Sequence, residues 1–185
     1  MKLFFITVFM FSLMSSAAQK KAIFSSQNYV GLLEGEQKSK LQLQTINGIK
    51  YRTWFIGLGT GIDWYYLRSI PIFLSLNRDF LQKKNRNFFV ALNGGINLPW
   101  KKNNDLNELG YPRGRLLTGF YWEGGLGYKI GIGKRNNAML LQLAYNYKHL
   151  GEKTITRVYD TPELDPAERF DYYLRRLSMK IGWKF

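Results

Sequence analysis

The chain has 185 residues with 27 basic and 13 acidic side chains, a formal net charge of +14, and no cysteine. Without cysteine there is no disulfide framework, no thiolate metal centre and no lipid-anchored cysteine. The basic residues are scattered along the chain behind an export-type leader, which excludes nucleic acid as the partner and makes phosphate-rich lipid surfaces the expected anionic neighbour.

The leader comes first. Lys2, an apolar run from Leu3 to Met14 and the small residues Ser16, Ala17 and Ala18 have the three-part layout of a secretory signal peptide. A dozen or so apolar residues fall short of the roughly 30 Å hydrocarbon core of a bilayer. Cleavage is expected after Ala18, so that residues 1–18 are a signal peptide and 19–185 a single domain.

The remainder alternates with period two, the signature of strands with two unlike faces. QNYVGLLEGE and SKLQLQTINGIKY are the first two, the second with Leu41 and Leu43 against Gln42 and Gln44. Its turn falls either at Asn47-Gly48, a strong hairpin signal, or near Lys50 to Arg52. TWFIGLGTGIDWYY then sets Trp54, Ile56, Leu58, Ile62 and Trp64 against Phe55, Gly57, Gly59, Gly61 and Asp63. SIPIFLSLN sets Ile70, Ile72, Leu74 and Leu76 against Ser75 and Asn77, and FFVALNGGINLPW sets Phe88, Val90, Leu92, Ile96 and Leu98 against Ala91, Asn93, Gly95 and Asn97. TGFYWEGGLGYKIGIGK continues with Phe120, Trp122, Leu126, Tyr128, Ile130 and Ile132 opposite Glu123, Gly125, Gly127, Lys129, Gly131 and Gly133. MLLQLAYNYKH and the terminal LSMKIGWKF close the series, the last with Leu177, Met179, Ile181, Trp183 and Phe185 opposite Ser178, Lys180, Gly182 and Lys184.

The expected fold is therefore all-β: an eight-stranded antiparallel up-and-down transmembrane barrel. Its longest connections, Lys101 to Arg115 and His149 to Asp171, are the fifth and seventh, so both lie at the end opposite the chain termini. A medium connection is expected at Arg78 to Asn87. Two longer outer loops over short periplasmic turns are the asymmetry of an outer-membrane barrel. A soluble periplasmic barrel carrying a lipid-like ligand would turn its apolar face inward. Here the opposite face is rich in glycine, which relieves crowding inside a narrow barrel and permits curvature. Trp54, Trp64, Trp100, Trp122 and Trp183, with Tyr65, Tyr66, Tyr121, Tyr172 and Tyr173, are expected at the membrane interfaces, where an amphipathic ring is buried and its polar atom stays wet.

On these residues the chain resembles known proteins. The ending Gly182-Trp183-Lys184-Phe185 is similar to the C-terminal signature by which outer-membrane barrels are recognised for insertion. INGIKYRTWFIGLGTGIDWY followed by SIPIFLSLNRDF resembles the small outer-membrane β-barrel proteins of Bacteroidetes. The resemblance implies a Gram-negative outer-membrane location, with outer-membrane lipids and lipopolysaccharide as surroundings. It also implies contact with the barrel-assembly machinery through a terminal strand in which Gly182, Trp183 and Phe185 close the barrel.

Chemistry is sparse. His149, the single histidine, sits in KHLGEK without the neighbouring serine that a lipid A deacylase of this fold would use. The loop TPELDPAERFD brings together Glu163, Asp165, Glu168 and Asp171, but in the spacing of no calcium loop. Asp63, Glu123, Lys129, Arg176 and Lys180 all fall on the inward face and are expected to form a lumen charge network, since eight strands leave an interior that side chains fill. No cofactor or catalytic set is expected. The reading is a monomeric structural or surface-binding membrane protein, with an outer-leaflet lipid-modifying enzyme or a periplasmic lipid carrier as the alternatives.

Overall fold

The computed structural model describes residues 22–36, 38–100, 115–133, 137–155 and 167–185. The expected leader lies outside them, as do 101–114 and 156–166 of the two longest connections. Nine strands follow in order: β1 (Ile23–Glu34), β2 (Lys40–Tyr51), β3 (Trp54–Asp63), β4 (Ser69–Lys83), β5 (Arg86–Pro99), β6 (Arg115–Leu117), β7 (Gly119–Gly131), β8 (Ala138–Ile155) and β9 (Ala167–Lys184). All pair antiparallel with their neighbours. β6 and β7 lie along the same side of β8 and make one stave, so the barrel has eight.

β9 closes it. It pairs with β8 from Ala138↔Lys184 to Ile155↔Ala167 and with β1 from Gln27↔Lys184 to Glu34↔Leu177. Ser26 and Phe185 then exchange backbone hydrogen bonds, 2.9 Å from the Phe185 N–H and 3.3 Å from the Ser26 N–H. At the other end β9 outruns β1, and its first residues pair with β8 alone, with β6 on the far side of β8. A small three-stranded flap thus rises above the barrel at the end away from the termini, the loop end.

Three expected boundaries are corrected. Of the two turns weighed after β2, Asn47-Gly48 does not turn, since Asn47 and Gly48 pair with Leu58 and Gly57; the alternative near Lys50 to Arg52 is the closer, the turn being Arg52-Thr53 with Arg52 at φ 54°. The medium connection at Arg78 to Asn87 shrinks to Lys84-Asn85. Apolar alternation weakens there but backbone pairing does not need it. A bulge between Phe80 and Lys83, with Leu81 at φ 47°, absorbs the extra residue. The seventh connection shortens likewise, because β8 and β9 run on as a polar hairpin.

The two faces differ as the alternation requires. Leu58, Leu74, Leu126 and Leu143 are 57–65% exposed on the outside, while Asp63, Glu123, Asn146 and Lys148 inside are fully buried. Polar residues interrupt the outer belt on β1 and β2, where Thr45 Oγ1 donates to Asn28 Oδ1 at 2.8 Å. Trp54 and Trp183 ring the end that carries the termini, the terminal end, and Trp64 and Trp100 the loop end, all 37–47% exposed. Tyr65 and Tyr121 depart from the expected interface belt: both are buried in the lumen, at 1% and 0% exposure.

The lumen is filled by a rule visible in the register. Tyr29 faces Gly182, Phe73 faces Gly59 and Phe89 faces Gly127 as cross-strand partners. A Cβ on Gly127 would come within 2.1 Å of the Phe89 ring, one on Gly59 within 2.3 Å of Phe73, and one on Gly182 within 2.5 Å of Tyr29. Each glycine lets a ring lie flat across the neighbouring strand. These rings join Ile46, Phe55, Ala91, Tyr121 and Leu140 in an apolar cluster inside the barrel.

Valine has the higher strand propensity, yet Gly127→Val is expected to lower stability by about 1–3 kcal/mol through overpacking. Gly94→Val, where an added Cβ meets nothing within 4 Å, is expected to be neutral or stabilising. Urea titration of both in detergent, followed by tryptophan fluorescence, checks the rule. Equal losses contradict it.

Candidate functional site

Charged and amide side chains cross the lumen in three layers. Nearest the loop end is Asp63, at the close of β3. Its Oδ2 accepts from Lys148 Nζ at 3.1 Å and Arg176 Nη1 at 2.6 Å, and its Oδ1 accepts from the Tyr65 backbone N–H at 2.7 Å. Lys148 also donates to the carbonyls of Tyr65 (3.1 Å) and Leu67 (3.0 Å) and to Ser69 Oγ (2.9 Å). The β3–β4 connection is therefore drawn into the barrel, with Tyr66 at φ 60° and the side chains of Tyr65 and Leu67 buried. Arg176 lies 5.1 Å from the Tyr65 ring centre and bonds Asn146 Oδ1. Lys148 and Arg176 thereby stopper the lumen with the chain's own loop.

The middle layer centres on Glu123. Lys180 Nζ pairs with Oε1, to which Asn93 Nδ2 also donates at 2.9 Å; Asn146 Nδ2 and the Tyr121 hydroxyl donate to Oε2 at 3.0 and 3.2 Å. Lys180 reaches Gln44 Oε1 at 2.7 Å, and Gln44 Nε2 donates to the Tyr121 hydroxyl at 2.9 Å. Strands β2, β5, β7, β8 and β9 are tied together through one carboxylate.

The layer at the terminal end is Asp79, clamped by Lys129 Nζ on Oδ1 (2.7 Å) and Lys50 Nζ on Oδ2 (2.8 Å). The five inward charges expected from the sequence are thus divided: Asp63 with Arg176, Glu123 with Lys180, and Lys129 apart with Asp79. Asp79, Lys50 and Lys148 complete the network. Lys148 carried the right parity, whereas Asp79 was hidden in what read as a connection. Of the terminal residues, Gly182 takes the Tyr29 ring from inside, while Trp183 and Phe185 point outward at 47% and 58% exposure.

His149 is at the loop end. Its Nε2 lies 3.1 Å from Asp171 Oδ1 and its ring stacks on Tyr173 at 5.0 Å. Arg169 donates to the same carboxylate at 3.1 and 3.3 Å, and chiefly this bond holds the Asp171 carboxyl below the usual carboxylate range. Among the described residues no hydroxyl nucleophile bonds His149. Glu163 and Asp165 lie outside the described residues, and Asp171 is engaged with Arg169 and His149 rather than with other acids. Beside this group opens a cavity of about 500 Å³ lined by Glu36, Tyr65, Tyr66, Asp171, Tyr172 and Arg175. Tyr66 and Tyr172 of its lining pack against each other with ring centres 5.1 Å apart, and Tyr172 donates to Glu152 at 3.2 Å.

Two solved structures have this architecture. Neisserial surface protein A, NspA, superposes with a TM-score of 0.58 at 11% identity, over 89% of this chain and 98% of that one. The outer membrane protein OprG from Pseudomonas aeruginosa superposes with a TM-score of 0.56 at 11% identity, over 91% and 98%. The chain has the fold of the small outer-membrane barrels. No protein-family model matches it, and no curated protein matches it in sequence. At such low identity the likeness concerns backbone architecture alone.

Lys148→Met removes one partner of a buried pair and frees two loop carbonyls, so a loss of about 3–5 kcal/mol is expected. Lys153→Met, an exposed lysine on β8, is expected to cost under about 0.5 kcal/mol. Unfolding midpoints of the two variants in detergent test the stopper.

Proposed function

We propose that the chain is an integral outer-membrane barrel of the small Bacteroidetes-type class, exported by a cleaved leader, monomeric, and structural or surface-binding in role. One observation carries this: an outer belt of exposed leucine, isoleucine and valine, edged with tryptophan at both ends, around an interior of buried charge. Hydrocarbon is the neighbour that such an exterior requires. Trp54 opens the ten-residue strand β3 and Trp64 follows its last residue, both facing outward, and a tilted strand needs about 9–11 residues to cross. The termini then lie on the periplasmic side, and the flap, His149 and the 500 Å³ cavity on the outer side.

The filled lumen argues against a lipid carrier, which needs an apolar cavity inside. It also argues against a pore. His149, held by a carboxylate and a tyrosine ring with no hydroxyl nucleophile on it among the described residues, argues against acyl transfer. The tyrosine-lined outer cavity, with Arg175 and two acids at its rim, is the place for a surface ligand such as the saccharide of lipopolysaccharide. The closing strand is where assembly machinery would engage.

Cell fractionation with heat-modifiability on a gel tests the location; recovery in the soluble periplasm overturns it. Leu74→Arg is expected to destabilise the barrel in lipid by about 2–4 kcal/mol, as for a charge near the bilayer midplane, and Gln142→Lys by much less. Deleting Phe185 is expected to reduce the heat-modifiable fraction in outer membranes, because its two bonds to Ser26 and its interfacial ring are lost together; Phe185→Tyr is expected to retain it.

A further inference from the structure

The lumen charges do not balance, and the imbalance has a location. At the terminal end Lys50, Lys129 and Lys184 share one carboxylate, Asp79, and both of its oxygens are already taken by Lys129 and Lys50. Lys184 points inward between them at 3% exposure. Among the described residues it has no hydrogen-bond or ion-pair partner; Lys50 and Lys129 repel it, and Asp79, whose charge attracts it, is already bonded on both oxygens. A buried ammonium without a counter-charge is costly.

The same three lysines line a cavity of about 170 Å³ at this mouth, together with Lys84, Asn87 and Asn137. That is room for a handful of water-sized groups. Its charged lining is cationic throughout, and three asparagine amides, Asn85 being the third, add neutral N–H donors. Ammonium and amide groups around a small cavity suit a compact oxyanion with several acceptor oxygens, which would give Lys184 a counter-charge of its own in place of a share in Asp79.

We propose that this mouth binds a phosphate-type oxyanion, held by Lys184 with Lys50, Lys129 and the rim residue Lys84. The site is independent of the outer cavity and of the membrane reading, since it rests on the lumen alone. Free phosphate and the phosphate of a lipid headgroup share this chemistry.

The probe is inorganic phosphate, titrated against the full chain refolded in a non-ionic detergent, with chloride at equal ionic strength as reference and with phosphorus line broadening and the unfolding midpoint as readouts. The expected result is a saturable rise in midpoint with phosphate, at least about tenfold weaker in affinity in Lys184→Gln and unchanged in Lys153→Gln. If a headgroup is the source, the Lys184-dependent rise appears with micelles containing phosphatidic acid and not with inorganic phosphate, which keeps the site and assigns its origin. Should Lys184→Gln fail to fold, Lys84→Gln, on an exposed turn, replaces it with a several-fold weakening expected. No saturable response to either probe, or an equal weakening in Lys153→Gln, overturns the proposal.

Discussion

Pairing of β9 with both β8 and β1 is the constraint on which everything else rests. Below the flap, a closed ladder of eight staves has no free strand edge, and it divides the residues of each strand between two surroundings by parity alone. A slip of one residue at the seam would send Lys180, Arg176 and Lys184 outward and Met179, Ile181 and Trp183 inward. The register Val30↔Ile181 and Gly31↔Lys180 avoids this. It also carries the chain's last residue into the seam, so the alternation has to persist to Phe185.

Closure at eight staves also fixes how much the lumen can hold. Three large inward rings, Tyr29, Phe73 and Phe89, are accommodated where the next strand offers a glycine, and the charges that remain must find partners across the lumen. Asp63 and Glu123 do so through Lys148, Arg176 and Lys180. These contacts join residues far apart in sequence, 113 positions in the case of Arg176 and Asp63. They favour one barrel register over its neighbours, because a slipped strand would bury its charges unpaired. At the terminal end the pairing is incomplete, and there the lumen opens.

Strand existence and strand faces were legible in the sequence because period-two alternation is a local property. Boundaries were less so: Asp79 and Phe80 continue the alternation, but a run of charges after Asn77 reads as a loop, and a bulge at Leu81 leaves no sequence mark. Asn47-Gly48 is a hairpin signal that register overrode, since Gly48 is needed where a Cβ would lie 2.1 Å from the Ile56 carbonyl oxygen. The inward charges were recognisable by parity, yet their partners were not, because parity gives a face and not a height along the barrel. Tyr65 and Tyr121 were misplaced for a related reason. A tyrosine near a strand end satisfies an interface or a lumen equally well until its hydroxyl or backbone finds a partner, here Glu123 for one and Lys148 for the other.

The central claim is that the outer face meets hydrocarbon and the inner face is sealed from it. A chain without native cysteine allows single cysteines, each carrying a spin label, to be placed in turn at residues 72 to 77 of β4 in a lipid bilayer. Collision with oxygen, which partitions into lipid, is predicted to peak at positions 72, 74 and 76 and to fall at 73, 75 and 77, with a water-soluble nickel reagent low at all six. The opposite phase, or strong nickel collision at 72, 74 and 76, would contradict the account.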